Sequence, residues 1–273
     1  MKQLATYFGL AYLISWIIWL PLYGHIFGLS DLPTLPFHHG LGGLGPLIAS
    51  FLTTWIYNKQ EGTKLLLKKC LQVRPLIYLT IALLSPFLLA FIASIINYFI
   101  DKAPINLSGL LSCKEFTNFN LMTFFIYNLI FFGFGEEVGW RGFALPRFQD
   151  KFNALTSSLI LTVFWAIWHW PLFFYRVGYT SMEFVGIFGW LFSLLTGSVL
   201  LTWLFNSSRG SILICAVFHA TIDIAFTADL ADKNIVNYMG FLITVWGILT
   251  IIIFKPKNLS TSERIKNTSI QRH

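Results

Sequence analysis

The sequence predicts an all-α membrane protein, a polytopic bundle of about eight transmembrane helices. Three observations support this prediction. Hydrophobic residues make up 56% of the 273-residue chain and charged residues only 11%, whereas about 25% of the residues in a soluble domain are charged. The ten Trp and ten Tyr residues suit anchoring at membrane interfaces. Apolar runs close to 20 residues long, the length that crosses the hydrocarbon core, recur along the chain.

Eight apolar runs are long enough to be membrane helices. In order they are 4–22, 41–57, 76–100, 119–144, 154–174, 184–205, 211–228 and 236–254. The first has a single lysine ahead of it and no small-residue cleavage site after it, so it is predicted to be a retained helix rather than a signal peptide. In the sixth, Gly189, Ser193 and Gly197 lie four residues apart, a pattern typical of close helix packing.

The distribution of basic residues predicts the orientation of these helices. Eight helices place both chain ends on one side, and with that side cytoplasmic the inner segments hold fourteen Lys and Arg residues and the outer loops four. The positive-inside rule therefore predicts a multi-pass protein of the cell membrane with both termini cytoplasmic. Residues 1–254 are predicted to form one lipid-embedded domain with its core at about 119–228, followed by a polar cytoplasmic tail, 255–273.

Composition also excludes some classes of function. The net charge of +7 does not indicate a nucleic-acid partner, because the basic residues lie between apolar runs rather than along one stripe. Cys70, Cys113 and Cys215 are scattered without CxxC spacing, so they indicate neither a disulfide framework nor a thiolate metal site. His25 and the pair at 38–39 fall in a predicted outer loop, where solvent exposure is expected.

The most unusual feature is a pair of adjacent acids, Glu136 and Glu137, inside the fourth apolar run. A carboxylate at the centre of a bilayer helix costs about 2.5–3.5 kcal/mol, so two side by side require a physical reason. Glu137 and Arg141 are four residues apart and are predicted to meet on one helix face as an ion pair. This pairing leaves Glu136 available for chemistry.

Two other apolar runs also contain ionisable residues. His169 lies two residues before Pro171, which removes a backbone donor and can kink the helix there. His219 and Asp223 are four apart and face the same way. A lone membrane histidine is usually a packing residue, but polar groups on three separate helices are expected to converge on one water-accessible site.

This set of residues resembles the CAAX-protease and bacteriocin-processing family of intramembrane proteases, also called the Abi family. The family signature is EExxxR, then FxxxH, then HxxxN or HxxxD, each on its own membrane helix. The matching residues here are Glu136, Glu137 and Arg141; Trp165 and His169; and His219 and Asp223. The resemblance covers about 119–228 and implies a fold of eight helices.

Two positions depart from the family pattern. Trp165 stands where the family usually has Phe, a change of bulk for bulk that is expected to be harmless. Asp223 stands where the prenyl-protein members have Asn. An ionised Asp cannot donate a hydrogen bond to an oxyanion, so Asp223 is expected to orient His219 instead.

The resemblance implies an intramembrane endopeptidase with Glu136, His169, His219 and Asp223 as catalytic residues, supported by Glu137 and Arg141. Peptide hydrolysis needs a base for water and a donor for the oxyanion. Glu136 is expected to be the base, His169 to hold the water and His219 to polarise the scissile carbonyl. The same Glu136, His169 and His219 could instead bind Zn²⁺, and a metal-free mechanism fits equally well. The expected substrate is a prenylated protein, a bacteriocin-type peptide or another membrane protein.

Two other functions compete with hydrolysis. A non-catalytic immunity or scaffold member could retain this fold, but its motif would be expected to decay, and every ionisable motif position is occupied here. A proton-coupled transporter could use buried carboxylates as a relay. Transporters typically contain internal repeats and paired broken helices, and the sequence shows neither signal.

Overall fold

In a computed structural model of the chain, the structure describes residues 2–29, 31–105, 109, 118–228 and 234–267. These residues form helices and connecting loops, and none of the described residues lies in a strand. Cys113, noted in the sequence, lies outside the described residues. The predicted all-α polytopic bundle is confirmed.

The described part of the chain contains nine helices. They are α1 (Lys2–Tyr23), α2 (His38–Gly43), α3 (Gly45–Cys70), α4 (Leu76–Asp101), α5 (Leu121–Gln149), α6 (Ala154–Trp168), α7 (Phe184–Ser207), α8 (Ile212–Thr227) and α9 (Asn234–Asn258). Within the described ranges, six of them (α1, α4, α5, α7, α9, and α6 together with the 3₁₀ turn that extends it to Phe174) are long and apolar enough to cross a membrane. The shorter α8 and the more polar α3 account for the other two predicted runs. The orientation of the termini stays a prediction.

The helix α3 combines two different segments. It leaves helical geometry at Lys59, where φ is 55° and ψ is −151°. The residues before this kink are mostly apolar. The residues after it include Lys64, Lys68 and Lys69, which flank the three leucines at 65–67. An amphipathic basic segment of this kind suits the surface of a membrane. The second predicted run therefore ends at the kink.

Helix α5, which bears the two acids, is packed backbone to backbone against its neighbours. A Cβ atom placed on Gly133 would lie 2.5 Å from the carbonyl oxygen of Ala216 in α8. A Cβ atom on Gly135 would lie 2.7 Å from the carbonyl oxygen of Gly43 in α2. Only glycine permits these approaches, which bring the backbone of α5 into the middle of the bundle.

Buried indole groups join α1 to the helices around it. Trp168 of α6 donates its indole N–H to the Ser15 hydroxyl at 2.8 Å, and Ser15 in turn donates to the Gly42 carbonyl oxygen at 2.7 Å. Trp19 donates to the carbonyl oxygen of His39 at 2.7 Å. Buried tryptophans usually require such a partner for the indole N–H. These bonds tie α1, α2 and α6 together next to the acid-bearing helix.

The small-residue stripe predicted on α7 packs as expected only in part. In the described part of the chain, no atom lies within 4 Å of a Cβ built on Gly189 or Gly197. The close approach is made by a neighbouring position, because a Cβ on Gly247 of α9 would lie 2.6 Å from Thr196. The predicted stripe nevertheless meets α9 at its middle residue, because a Cβ atom on Gly240 of α9 would lie 3.1 Å from the Ser193 hydroxyl. The close packing expected of the stripe is therefore present at Ser193 and absent at the two glycines.

Part of the segment predicted as a polar tail, 255–273, packs against the helices. Gln149 and Asn206 exchange two amide hydrogen bonds, of 3.0 and 2.9 Å. Asn206 also donates to the carbonyl oxygen of Asn258 at 2.8 Å and accepts the backbone N–H of Ile265 at 3.1 Å. The division into membrane domain and tail stays a prediction, and the described tail residues are anchored to α5 and α7.

Candidate active site

The two acids lie at a local irregularity of α5. Residues Leu129–Phe134 and Val138–Ala144 are π-helical, and Gly135–Glu137 forms a short α-helical turn between them. Single π-helical turns inside α-helices are often found at functional sites, because the widened turn changes where side chains point. No pattern in the sequence indicates these turns, since a one-residue widening does not alter an apolar run.

Glu137 forms the ion pair expected from the sequence. Its Oε1 accepts a hydrogen bond from Arg141 Nη1 at 2.9 Å, and both side chains are fully buried. Arg141 Nη2 donates to the Ser198 hydroxyl of α7 at 3.1 Å. The guanidinium carbon also lies 4.7 Å from the centre of the Trp165 ring, a cation–π distance. Arg141 is thus fixed by three helices and compensates the charge of Glu137.

The same Glu137 oxygen also holds His219. His219 Nδ1 lies 2.7 Å from Glu137 Oε1, whereas its Nε2 lies 3.6 Å from Asp223 Oδ2. Because the bond to Nδ1 is the short one, Glu137 orients the ring. The role of orienting His219, expected for Asp223, is thereby corrected. Asp223 lies four residues after His219 on α8 and approaches only its Nε2 atom.

Glu136 has partners that the sequence did not predict. Its Oε2 accepts indole hydrogen bonds from Trp165 of α6 at 2.6 Å and from Trp140 at 3.2 Å. Its Oε1 lies 3.9 Å from His219 Nε2 and is the oxygen that no indole holds. Trp165 therefore adds a hydrogen-bond donor to the site. Trp165 in place of the usual Phe thus changes the hydrogen bonding of Glu136 as well as the bulk of the side chain, which was the only change expected from the sequence.

His169 is held in one tautomer by its own helix. Its Nδ1 lies 2.8 Å from the carbonyl oxygen of Trp165, and a carbonyl oxygen can only accept, so Nδ1 carries the hydrogen. In a neutral ring Nε2 then bears the lone pair. The ring lies parallel to that of Tyr179, at 6.3 Å between centres, and edge-on to Trp190. As expected from Pro171, the α-helix ends here and continues as a short 3₁₀ turn.

The four predicted catalytic residues line one cavity of about 120 Å³. They are Glu136, His169, His219 and Asp223, contributed by α5, α8 and the end of α6. A volume of this size holds several water molecules. The two residues predicted as supporting, Glu137 and Arg141, do not line the cavity and lie behind it. The convergence expected from the sequence is present, while the catalytic roles stay predictions.

Part of the cavity wall consists of residues that were not predicted from the sequence. His39, expected to be solvated, lines the cavity; its Nδ1 lies 2.8 Å from the Tyr175 hydroxyl, and its ring stacks on Trp19. The neighbouring His38 is also only partly exposed. The expectation for both is wrong because α2 folds back against α1. Arg176, from the loop after α6, also lines the cavity. No local pattern distinguishes these loop residues from solvated ones.

The expected zinc ligands do not form a ready metal site. Across the described ranges, no three His, Cys, Asp or Glu side chains are grouped so that they could hold a metal ion. One oxygen of Glu136 is already engaged by two indole donors, and Nδ1 of His219 is engaged by Glu137. Such bonds are common around metal ligands and leave Glu136 Oε1 and the Nε2 atoms of His169 and His219 available, so the Zn²⁺ assignment stays a prediction.

The fold and the site define a class of protein: a multi-pass helical membrane protein with glutamate and histidine side chains on an internal cavity. Comparison with known proteins agrees with this class. Residues 118–225 match the family model of the Rce1-like type II CAAX prenyl endopeptidases. All six predicted site residues lie within the matched range.

A curated relative supports the same family resemblance. The chain is 27% identical over 94 residues to a protein named CAAX prenyl protease 2 from Methanococcus maripaludis. The aligned part is 33% of this chain and 34% of that protein, so it spans about a third of the relative's length. The two findings confirm the family resemblance predicted from the sequence.

Proposed function

We propose that the protein is an intramembrane endopeptidase that hydrolyses a peptide bond with water activated by Glu136. One observation carries the proposal: Glu136, His169 and His219 reach a single cavity of water-holding size from separate helices. The similarity of 118–225 to CAAX prenyl endopeptidases supports it. Buried acid–base groups at membrane depth are costly, so a function that uses them accounts for their presence.

In the proposed reaction, water lies between Glu136 and His169. The Nε2 lone pair of His169 accepts one hydrogen of the water, and the free Oε1 of Glu136 takes a proton as the oxygen attacks the scissile carbonyl carbon. The indole N–H groups on the other oxygen of Glu136 keep the carboxylate aimed at the water. When the C–N bond breaks, Glu136 returns the proton to the leaving amine.

His219 supplies the proposed donor to the oxyanion. Glu137 holds Nδ1, so a ring protonated on both nitrogens points the Nε2–H into the cavity. A fixed donor aimed at developing negative charge stabilises the tetrahedral intermediate more than the substrate. Asp223, one-third exposed at 3.6 Å from Nε2, is proposed to balance the charge of the ring.

The proposed substrate is a peptide or protein at the membrane. Recognition of the substrate is assigned to the cavity walls, which are rich in aromatic side chains; Trp19, Phe124, Tyr127, Phe132 and Trp168 are among them. An aromatic wall suits apolar side chains or a lipid group on the substrate. Of the three substrate types expected from the sequence, a prenylated peptide fits best, because the curated relative is named a CAAX prenyl protease.

Replacing His219 by Ala is expected to lower kcat by about 10²–10³-fold, the usual loss when one oxyanion donor is removed. The measurement is turnover of a quenched fluorescent peptide by the purified full chain in nanodiscs, with the peptide offered prenylated and unprenylated. His25→Ala is the matched control, because His25 is exposed. Turnover by His219→Ala equal to that of the control would contradict the role assigned to this ring.

Replacing Trp165 by Phe is expected to lower kcat about tenfold or more with little change in KM. A hydrogen bond to a charged group contributes about 1.5–3 kcal/mol, and Phe keeps the ring while removing the donor. Trp170→Phe, at a tryptophan that is 60% exposed, is the control. An unchanged kcat would show that the indole acts only as bulk, as the sequence resemblance suggested.

Removal of metal separates the water mechanism from a zinc mechanism. The proposed reaction uses only side chains and water, so turnover is expected to survive exhaustive chelation. The checks are metal content by mass spectrometry and activity before and after dialysis against a chelator. Loss of activity that zinc alone restores would establish the metal mechanism instead.

A further inference from the structure

A second hollow, of about 420 Å³, lies between the start of α1, the end of α5 and α3 near its kink. The loop after α5 also lines it, and none of its described lining residues belongs to the candidate active site. Its lining includes Lys2, Tyr57, Arg147, Asp150, Lys151 and Asn267. Since membrane helices end near the headgroup region, the hollow lies at the level of lipid headgroups, on the side predicted to be cytoplasmic.

Arg147 is the fixed cation of this hollow. Its Nε donates to Gln3 Oε1 at 2.9 Å and its Nη1 to the Phe143 carbonyl oxygen at 2.8 Å. The guanidinium also lies 3.6 Å from the centre of the Phe143 ring. Within the described ranges, no residue accepts a hydrogen bond from Nη2. The guanidinium is thus pre-positioned, with one terminal nitrogen left to bind an anion.

The charge of the lining favours an anionic ligand. Among the described lining residues, Lys2, Arg147 and Lys151 face one acid, Asp150, which leaves two excess positive charges. Lys2 and Lys151 are exposed, so their ammonium groups can move toward a ligand. Flexible lysines beside a rigid arginine suit a phosphate group.

A smaller hollow, of about 40 Å³, adjoins the charged one and also has Arg147 and Asn267 in its lining. The rest of its wall is mostly apolar and includes Leu65, Phe205 and Ile212, together with the polar Thr54, Asn58 and Lys69. A soluble phosphate would use only the charged part. A molecule with a phosphate headgroup and a hydrocarbon chain would use both parts.

We propose that this hollow binds the headgroup phosphate of an anionic phospholipid from the adjoining leaflet. Arg147 holds the phosphate through Nη2, Lys2 and Lys151 neutralise the remaining charge, and the start of an acyl chain enters the smaller hollow. Basic pockets between membrane helices are suited to anionic headgroups by charge. The site is separate from the proposed protease chemistry and does not depend on it.

The test measures lipid retention by the full-length protein. Protein purified in detergent is mixed with equal amounts of phosphatidylglycerol and phosphatidylcholine, and the bound lipids are counted by native mass spectrometry. The test variant is Lys2→Gln with Lys151→Gln. The control is Lys255→Gln with Lys257→Gln, which removes the same charge from exposed positions outside the hollow.

Wild type and control are expected to retain phosphatidylglycerol preferentially. In the test variant, the preference for phosphatidylglycerol over phosphatidylcholine is expected to fall about fivefold for each lysine removed. An equal preference in the test variant and the control would overturn the proposal. Displacement of the lipid by millimolar inorganic phosphate would also overturn it, because the site would then bind a soluble anion. Retention in the presence of inorganic phosphate would support the lipid assignment.

Discussion

Replacing Glu136 by Gln is expected to lower peptide hydrolysis by about 10²–10⁴-fold, the usual contribution of general acid–base catalysis. The amide keeps the size of the side chain and can still accept the indole bonds through its oxygen. It cannot take a proton from water. The fold is therefore expected to survive, and the loss is expected in kcat rather than in KM. The measurement is turnover of the quenched prenylated peptide in nanodiscs, together with thermal unfolding of the same preparation.

The control for this experiment is Glu61→Gln. Glu61 is highly exposed and forms an ion pair with the exposed Lys64, so its replacement is expected to change neither turnover nor stability. Wild-type turnover in Glu136→Gln would remove Glu136 from the mechanism. Absence of cleavage by wild type with every substrate class would favour the non-catalytic member of the fold.

Replacing Glu137 by Gln is expected to have its largest effect on stability, with a loss of about 3–5 kcal/mol in the free energy of unfolding. The cause is Arg141, which is fully buried and would lose the anion that compensates its charge. His219 would also lose the charged acceptor of its Nδ1–H. The measurement is unfolding of the purified protein in detergent, with Glu183→Gln, at an exposed acid, as the control.

A double-mutant cycle distinguishes the ion pair from a general packing defect. Arg141→Met combined with Glu137→Gln removes both charges and is expected to be more stable than Glu137→Gln alone. Additive losses in the cycle would contradict coupling between the two residues. The two adjacent acids are thus expected to differ in the effect of their replacement. Glu136→Gln lowers turnover at nearly constant stability, whereas Glu137→Gln mainly lowers the free energy of unfolding.

Much of the site followed from patterns within single helices. The pairing of Glu137 with Arg141 and the proximity of His219 to Asp223 need only the geometry of one helix, in which residues four apart lie on one face. The end of α6 near Pro171 likewise follows from the missing backbone donor. These predictions agree with the described structure because no other helix has to be placed to make them.

Contacts between helices were not predictable in the same way. The sequence did not indicate that Trp165 donates to Glu136, that Glu137 rather than Asp223 orients His219, or that His39 faces the cavity. Each of these contacts depends on how a helix or loop is rotated about its own axis relative to its neighbours. The contact of the α7 stripe with α9 through Ser193, and not through its two glycines, has the same origin.

By itself, the sequence determined that this is a helical membrane protein, which residues are ionisable at membrane depth and which of them pair within a helix. The tertiary structure alone decided which oxygen of Glu136 is free, which carboxylate holds His219 and which loop residues complete the cavity. The physical reason is the membrane itself. Lipid tails are as apolar as a leucine-rich helix face, so the apolar pattern of a membrane helix does not specify the face that turns inward.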